Sequence, residues 1–433
     1  MSVKIVRFSS PGRGNGLRAV SAISAGELVY AAAPLACCVS NTLSKDVCHD
    51  CFKRHKSLRR CSQCKMTRYC NVTCQKRAWS IHKRECRCLQ TLLPRTPTDS
   101  VRLAARIVFT ALNSSAKPSE ELYTIEEHES HLSSMSEQKR QGLSQLADML
   151  QIYLQREIPD LMKEMTSALP PSCQDPLSLL AKVACNCFTI SDGELKEVGV
   201  GLYPSLSLLN HDCRPNCLIV FEGTKLLLRA IKDICPEEEL LISYIDTLSV
   251  TADRQRQLSD QYHFTCSCQC CGSQAMDGVM LCGEESAWLP LKEALPRLES
   301  LQADSNWKTV LEVCSSLLSA VDGAVPDENV HKLRVTDMAL DACVNLGVWT
   351  QALMYGMKTL PAYRKYYPDP HPAHGLQLMR VGKLHHYLGN IEGAMVILRQ
   401  AYEILRVTHS EKSPITTELS LKLEECRAEM NLS

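Results

Sequence analysis

In the stretch Ser205-Leu206-Ser207-Leu208-Leu209-Asn210-His211-Asp212-Cys213-Arg214-Pro215-Asn216-Cys217, an apolar run ends in the polar pair Asn210-His211, and a thiol, Cys213, follows two residues later. Further along, Cys266-x-Cys268-x2-Cys271, with Cys270 inside it, presents three thiolates in metal-ligand spacing and lacks a fourth. A structural zinc ion takes four N or S ligands in a tetrahedron, and Cys213 is the candidate that completes this set. Between the two lies Leu240-Leu241-Ile242-Ser243-Tyr244, a short apolar run closed by an aromatic hydroxyl.

Working outward, the sequence has strand character from 183 to 245, clearest at 198–202, 217–221, 225–231 and 240–244. Residues 1–44 have the same texture, with apolar runs separated by turns at Gly12–Gly16 and Ala25-Gly26-Glu27. Two helical stripes stand between these regions. One has apolar residues at 101, 104, 107, 108 and 111; the other has Leu143, Leu146, Leu150, Tyr153 and Leu154. Loops are expected at 113–119 and at 169–178, the latter carrying Pro170-Pro171. A β domain split by an insert is the arrangement this order predicts.

A second set of thiols opens the insert: Cys48-x2-Cys51-x9-Cys61-x2-Cys64-x5-Cys70-x3-Cys74-x7-His82-x3-Cys86. Eight such ligands in 39 residues suit two tetrahedral zinc ions. A C-x2-C pair lets one tight turn aim two thiolates at one ion, and the two i, i+4 pairs suit one face of a helical turn. So short a segment, with few large apolar residues, draws its stability from the metal. Spacing alone does not say which pairs share an ion, and Cys88 stands close enough to compete with Cys86.

The chain has 433 residues, 22% charged and 45% apolar, with 24 cysteines and a net charge of zero. Neutrality hides an asymmetry. Residues 48–86 hold eleven Lys/Arg against Asp50 and Glu85, a surplus of nine, so the remainder carries minus nine. Clustered thiols without an apolar leader suggest zinc ligands in a reducing compartment rather than disulfides. The longest apolar stretch, 28–39, contains Pro34 and is shorter than the roughly 20 residues a membrane span requires. Cys185, Cys314 and Cys343 stand among apolar residues and are expected in the core.

From a linker at 272–285 onward the pattern is helical. Trp307-Lys-Thr-Val-Leu, Trp349-Thr-Gln-Ala-Leu and Ile391-Glu-Gly-Ala-Met recur at a spacing of 42 residues, the last two preceded by Leu346-Gly347 and Leu388-Gly389. This is the logic of tetratricopeptide-like helical hairpins, here with a longer period and with the Pro-rich loop at 367–372 expected to supply the excess.

Gly12-Arg13-Gly14-Asn15-Gly16-Leu17-Arg18-Ala19, the Asn210-His211-Asp212-Cys213 core, the downstream Tyr244 and the C-x-C-x2-C motif together resemble the SET domain of protein-lysine methyltransferases. The eight-ligand cluster resembles the MYND zinc finger at every ligand position. A SET domain interrupted by such a finger and followed by a helical array is similar, over essentially the whole chain, to the SET-and-MYND lysine methyltransferase family. The resemblance implies an α+β fold, a β-rich SET fold split by a MYND zinc finger and a helical insert, then a C-terminal tetratricopeptide-like α-helical domain. Its parts are the N-terminal SET segment 1–44, finger 45–90, helical insert 91–180, SET core 181–246, post-SET zinc segment 247–273 and helical domain 280–433.

It also implies chemistry. Three structural Zn²⁺ are expected. In the finger the first and third pairs share one ion (Cys48, Cys51, Cys70, Cys74), and the second and fourth share the other (Cys61, Cys64, His82, Cys86). The third ion takes Cys213, Cys266, Cys268 and Cys271. S-adenosyl-L-methionine would be held by Arg13, Gly14, Asn15, Tyr123, His131, Asn186, Ser207, Asn210, His211, Tyr244 and Phe264, with His131 where some members carry Asn. Tyr244 would orient the reacting groups while Phe188 and Tyr262 wall a lysine channel. A zinc ligand or general base is the alternative role for His211. The usual glycine of the turn before Tyr244 is replaced in Pro236-Glu237-Glu238-Glu239, so Glu237 is expected to carry backbone strain if that turn needs positive φ.

The implied activity is methyl transfer to lysines of histones and other proteins; the implied partners are those substrates, proline-rich peptides at the finger and a chaperone tail at the array. The zinc-loaded finger, still about +6, would attract nucleic-acid phosphates with little base preference. A non-catalytic adaptor or transcriptional regulator, binding partners through the finger and the helical array, is the competing reading. A monomer in cytoplasm and nucleus, with no membrane role, completes the expectations.

Overall fold

The computed structural model describes residues 4–113, 122–155, 157, 169–368 and 370–432. Beyond Asn113, the loop expected at 113–119 lies outside them. The chain opens with an antiparallel ribbon, β1 (Ile5–Ser10) and β2 (Gly14–Ala19), whose turn holds the glycine-rich motif. β3 (Leu28–Ala32) and β4 (Ala36–Val39) follow and enter different sheets. The finger carries the two-residue strands β5 (Arg59–Arg60) and β6 (Arg68–Tyr69), then helix α1 (Val72–Leu92). Helices α2 (Asp99–Asn113) and α3 (Glu137–Leu154) realise the two apolar stripes.

The expected loop at 169–178 is mostly helical: α4 (Pro171–Gln174) and α5 (Pro176–Asn186) each begin on a proline, whose missing N–H costs nothing at a first helical position. Asp175 caps α5 by accepting from the amides of Leu177 and Ser178. Strand character therefore starts at 187 and not at 183.

β7 (Cys187–Ser191), β8 (Glu197–Leu202), β9 (Asn210–His211), β10 (Cys217–Glu222), β11 (Lys225–Ala230) and β12 (Leu241–Ile242) complete the β domain. The orders are β4-β8-β7 and β10-β11-β3, so each three-stranded sheet joins one strand from before the insert to two from after it. The split domain expected from the sequence is thus what forms. One core unites both halves, with Leu17, Val29, Val39, Val198, Leu206, Leu226, Leu228 and Leu240 in the same buried cluster. β9 runs parallel to β12, setting Asn210 opposite Leu241 and His211 opposite Ile242.

The finger is docked onto this domain. Phe52, buried, lies over Gly199 of β8, where an added Cβ would stand 2.3 Å from the Cys38 carbonyl. Only glycine allows β4 and β8 to approach so closely there. On α1, the buried Glu85 carboxylate accepts from Arg102 Nε (3.2 Å) and Nη2 (3.1 Å) and from Arg106 Nη2 (2.6 Å), both on α2. The same guanidiniums donate to the β4 carbonyls of Val39 (3.1 Å) and Cys37 (2.6 Å), tying finger, insert and sheet together.

Glu237 takes φ +68° and its amide donates to the Ala19 carbonyl (2.8 Å), so the strain expected of this glycine-less turn is present. Its largely exposed carboxylate pairs with the partly exposed Arg18, and pairs so open to solvent contribute little. Glu237→Gly is expected to raise stability by about 0.5–1 kcal/mol through relief of the left-handed conformation. A urea midpoint that fell would show the Arg18 pair to be worth more than the strain.

After helix α6 (Thr251–Tyr262) comes the short helix α7 (Gln269–Ser273), whose last two residues enter the segment expected as a linker at 272–285, and that segment itself holds a helical turn, α8 (Asp277–Met280). Met280 is buried with Leu248, Val330, Leu333 and Tyr366, which seats the start of the array on the β domain. The array comprises α9 (Glu285–Ala303), α10 (Trp307–Ala320), α11 (Val330–Leu346), α12 (Trp349–Tyr366), α13 (Pro372–Tyr387), α14 (Ile391–Thr408) and α15 (Pro414–Leu432). The three repeat motifs each open a helix: α10, α12 and α14. Gly347 and Gly389 take positive φ in the turns before the last two, and Ala352 and Ala394 are fully buried one turn in. The extra length resides chiefly in the helices, since α12 has 18 residues and α13 has 16. Among the described residues no helix is long and apolar enough to cross a membrane.

Candidate active site and zinc centres

Thirteen residues expected at the site come from segments far apart in sequence: the β1–β2 turn, the helical insert, β7, the approach to β9, β12 and its exit, and the end of α6. All thirteen line one cavity of about 600 Å³: Arg13, Gly14, Asn15, Tyr123, His131, Asn186, Phe188, Ser207, Asn210, His211, Tyr244, Tyr262 and Phe264. That size is ordinary for a small-molecule cleft.

The parallel β9–β12 pair forms its floor. Asn210 Nδ2 donates to the Asn15 carbonyl (3.0 Å) and to Glu239 Oε1 (2.9 Å), fastening the glycine-rich turn to the second motif. Gly16 is essential to this approach, because an added Cβ would lie 2.7 Å from Glu239 Oε1 and 3.1 Å from Asn210 Nδ2. Arg13 Nη1 reaches the His211 carbonyl at 3.4 Å. Ser207 Oγ donates to the Asn186 carbonyl (3.2 Å), while Asn186 Nδ2 donates to the carbonyls of Lys182 (2.8 Å) and Glu129 (3.1 Å).

Both ring nitrogens of His211 are engaged. The Tyr244 amide donates to Nδ1 (3.0 Å), which must then be an acceptor, so the proton belongs on Nε2, 3.4 Å from Cys213 Sγ. The imidazole therefore supports a thiolate and is not itself in the metal set, which corrects its alternative role as zinc ligand. It also leaves no free nitrogen for general-base work.

Tyr244 packs against the rings of His211 (5.3 Å), Tyr262 (4.8 Å) and Phe264 (6.2 Å), and its hydroxyl donates to the Leu209 carbonyl. Burial, reinforced by Tyr262 and Glu239, pushes its pKa upward. Burial likewise pushes Tyr262 up to about 12. Both stay neutral phenols at physiological pH. Phe188 stands edge-on to Tyr203 (5.7 Å), and Tyr123 stacks on His128 (4.7 Å).

Several lining or supporting groups were given no role in the sequence reading. Glu239 and the Leu209 carbonyl act through motif residues, and nothing in the local sequence marks them. Glu129 and His263 also line the cavity; His263 lies 5.0 Å from His131. Cys185, expected in the core, is half-buried on the cavity wall; Cys314 and Cys343 are core residues as expected.

The thiols gather into three groups whose ligand atoms lie within 4.8 Å of one another: Cys48, Cys51, Cys70, Cys74; Cys61, Cys64, His82, Cys86; and Cys213, Cys266, Cys268, Cys271. Neither Cys88 nor Cys270 takes part. Cys51 and Cys70 Sγ are 3.7 Å apart, Cys61 and Cys86 Sγ 3.8 Å, and Cys64 Sγ and His82 Nε2 3.6 Å. A tetrahedral ion with bonds of about 2.3 Å sets thiolates about 3.8 Å apart, so the donor sets fit zinc. His82 and Cys86 share a helical face as expected, but Cys70 precedes α1, so the third pair straddles a strand–helix junction. His82 Nδ1 faces Glu85 Oε2 (3.3 Å), which orients the ligand nitrogen Nε2.

A SET-domain family model matches residues 14–245. The human histone-lysine N-methyltransferase SMYD3 is 45% identical over 431 residues, covering 100% of this chain and 99% of that protein. The chicken N-lysine methyltransferase SMYD2 is 32% identical, covering 97% of each chain. The human histone-lysine N-methyltransferase SMYD1 is 30% identical, covering 98% of this chain and 90% of that protein.

Proposed function

Since the chain belongs to the SET-and-MYND family of protein-lysine methyltransferases, we propose that the cavity between the β1–β2 turn, β9 and α6 is where it moves a methyl group onto the ε-amine of a protein lysine. It is an S-adenosylmethionine-dependent lysine methyltransferase with three structural zinc ions. The observation that carries the site is the convergence of thirteen separated residues on one cavity. Histones and other lysine-bearing proteins are the substrates we assign.

The donor set fits the cofactor. Amides of Asn186 and Asn210, the Ser207 hydroxyl and the backbone around Gly14 suit the amino-acid and ribose ends, and the faces of Phe264, Tyr244 and Tyr262 suit a purine and a sulfonium. S-adenosylmethionine supplies the methyl group as an electrophile when bound. The chain's own residues must deliver a neutral amine. A free lysine, with pKa about 10.4, is deprotonated to only a few parts in ten thousand at pH 7, an offset of about 4–5 kcal/mol. Phe188, Tyr244 and Tyr262 desolvate the channel, which lowers that pKa and releases the proton to solvent before the amine enters. Glu129 is the single carboxylate among the described lining residues, and no carboxylate base is required. Leu209 and Tyr244, locked by their hydrogen bond, hold the wall in place, so positioning provides much of the rate.

All four ligands of each zinc group come from the protein, leaving no open position for catalysis. The +6 finger, proline-rich peptides as its ligands, a chaperone tail at the array, and residence in cytoplasm and nucleus belong to the same reading, as do the domain limits expected from the sequence. Calorimetric titration with S-adenosylmethionine, coupled to labelled-methyl transfer onto core histones and a cell lysate, tests it. Saturable binding with label in lysine is the expected result. A zinc-loaded, folded protein that binds no cofactor would leave the adaptor reading standing.

A further inference from the structure

Two walls of the cavity are separate pieces of chain. One is the β1–β2 turn, with Arg13, Gly14 and Asn15; the other is the insert segment 122–131, which supplies Tyr123, Glu129 and His131. Helices anchor the insert segment. Lys182 Nζ on α5 donates to the carbonyls of Ile125 (3.0 Å) and Glu126 (2.9 Å), and Asn186 Nδ2 donates to that of Glu129 (3.1 Å). The Glu126 carboxylate accepts from the Ser172 amide on α4 (3.1 Å). None of these bonds reaches the glycine-rich turn.

Arg7, on β1 and outside the cavity lining, joins the two walls. Its Nε donates to Asn15 Oδ1 (3.4 Å), and its Nη1 meets Glu127 Oε1 (2.5 Å). The guanidinium carbon lies over the Tyr123 ring, 4.9 Å from the centroid, a cation–π distance. The Tyr123 hydroxyl donates to the Glu127 carbonyl. Glu127 Oε2 accepts from the amide (3.0 Å) and hydroxyl (3.2 Å) of Thr124, closing the turn that follows Tyr123. Arg7 is also the first cause that holds the Glu127 carboxyl below the usual carboxylate range. One guanidinium therefore touches a lining residue of each wall, Asn15 and Tyr123, and the carboxylate that braces the second.

We propose that Arg7 is a positioning residue for S-adenosylmethionine: it clasps the glycine-rich turn to the insert segment, so that Asn15 and Tyr123 meet the cofactor from two walls held together. This rests on the methyltransferase reading above. An ion pair as open to solvent as Arg7 with Glu127 contributes little alone. Here a rigid planar fork engages three groups at once, so its loss lets the walls part. A cofactor must then draw them together, and its apparent affinity falls by the fraction of molecules that remain closed. Once it is bound the walls are back in place, so the chemical step is unaffected.

The test compares wild type with Arg7→Met and Arg7→Lys in the full zinc-loaded chain. Calorimetry measures binding of S-adenosylmethionine and of S-adenosylhomocysteine, the compound left when the methyl is gone. Methyl transfer to core histones is run at saturating cofactor, and amide hydrogen exchange is read over 122–131. For Arg7→Met, both Kd values are expected to rise by the same factor, about 3–10-fold. Both kcat and KM for histones stay within about twofold, and exchange over 122–131 accelerates. Arg7→Lys, which keeps the charge and loses the fork, recovers part of the affinity. Unchanged exchange would overturn the clasp, and faster exchange with both Kd values unchanged would overturn its role in binding. Tighter S-adenosylmethionine with S-adenosylhomocysteine unaltered would mean that Arg7 acts only as a charge repelling the sulfonium, which also overturns the proposal. Wild type that binds no cofactor would sink the methyltransferase reading itself; wild type that binds, with Arg7→Met binding equally well, would sink this inference alone.

Discussion

Replacing Glu85 by alanine is expected to destabilise the protein by about 3–5 kcal/mol and to weaken zinc retention at the second finger site about 10–100-fold. Glu85 has no exposed surface and is, among the described residues, the only carboxylate shared by Arg102 and Arg106, themselves 2% and 7% exposed. Burial opposes its ionisation, yet Arg106 and then Arg102 hold its pKa well below the usual carboxylate range. Taking the carboxylate away strands two guanidiniums in the interior, which costs far more than an intact pair contributes. The same oxygen that meets Arg106 orients His82, so metal affinity falls with stability. Chemical denaturation and zinc release to a chromogenic chelator measure the two effects. A variant that loses less than about 1 kcal/mol would mean that Arg102 and Arg106 find other partners, such as the β4 carbonyls they already reach.

Tyr244→Phe is expected to lower kcat about 10²-fold while changing the Kd for S-adenosylmethionine less than about threefold, the pattern of an interaction made mainly in the transition state. The ring would remain, still packed on His211, Tyr262 and Phe264, so the cavity keeps its shape. What disappears is the hydroxyl that fixes the Leu209 carbonyl at the cavity wall. A Tyr244 held as a neutral phenol by burial cannot act as the base; the loss is therefore predicted to persist across pH 7–9 rather than to be rescued by alkali. Full activity in single-turnover methyl transfer would remove Tyr244 from the reacting end of the site.

Much of this was legible in the sequence because soft ligands and short motifs carry their chemistry in spacing. Cys213 could be assigned to a zinc group 53 residues downstream, since three thiolates in C-x-C-x2-C demand a fourth. The 42-residue repeat located three helix starts, each on the first residue of its motif. Pro170-Pro171 misled because proline punctuates loops and also opens helices, as Pro171 and Pro176 both do here, the second behind the Asp175 cap. Arg102 and Arg106 sat unnoticed on a stripe counted by its apolar members, and their partner on α1 is invisible from either segment alone. Glu239 and Leu209 act on residues far from them in sequence, Glu239 on Asn210 and Leu209 on Tyr244. Such groups have no local pattern, since only tertiary closure gives them a role.

The split sheets also impose a timetable on synthesis. β4 ends at Val39, and β11, the last strand of either three-stranded sheet, ends at Ala230. At about 5–20 residues per second, a ribosome needs on the order of 10–40 s to deliver the missing partners. β4 waits for β8, which ends at Leu202, and β3 for β11; until then each is an unpaired edge of the kind that recruits other nascent chains. The finger, whose eight ligands end at Cys86, emerges early enough to load zinc first. It places Phe52 beside the still vacant berth of β8. Metal supply during translation would then govern how much of this chain escapes aggregation, independently of what the finished protein later binds.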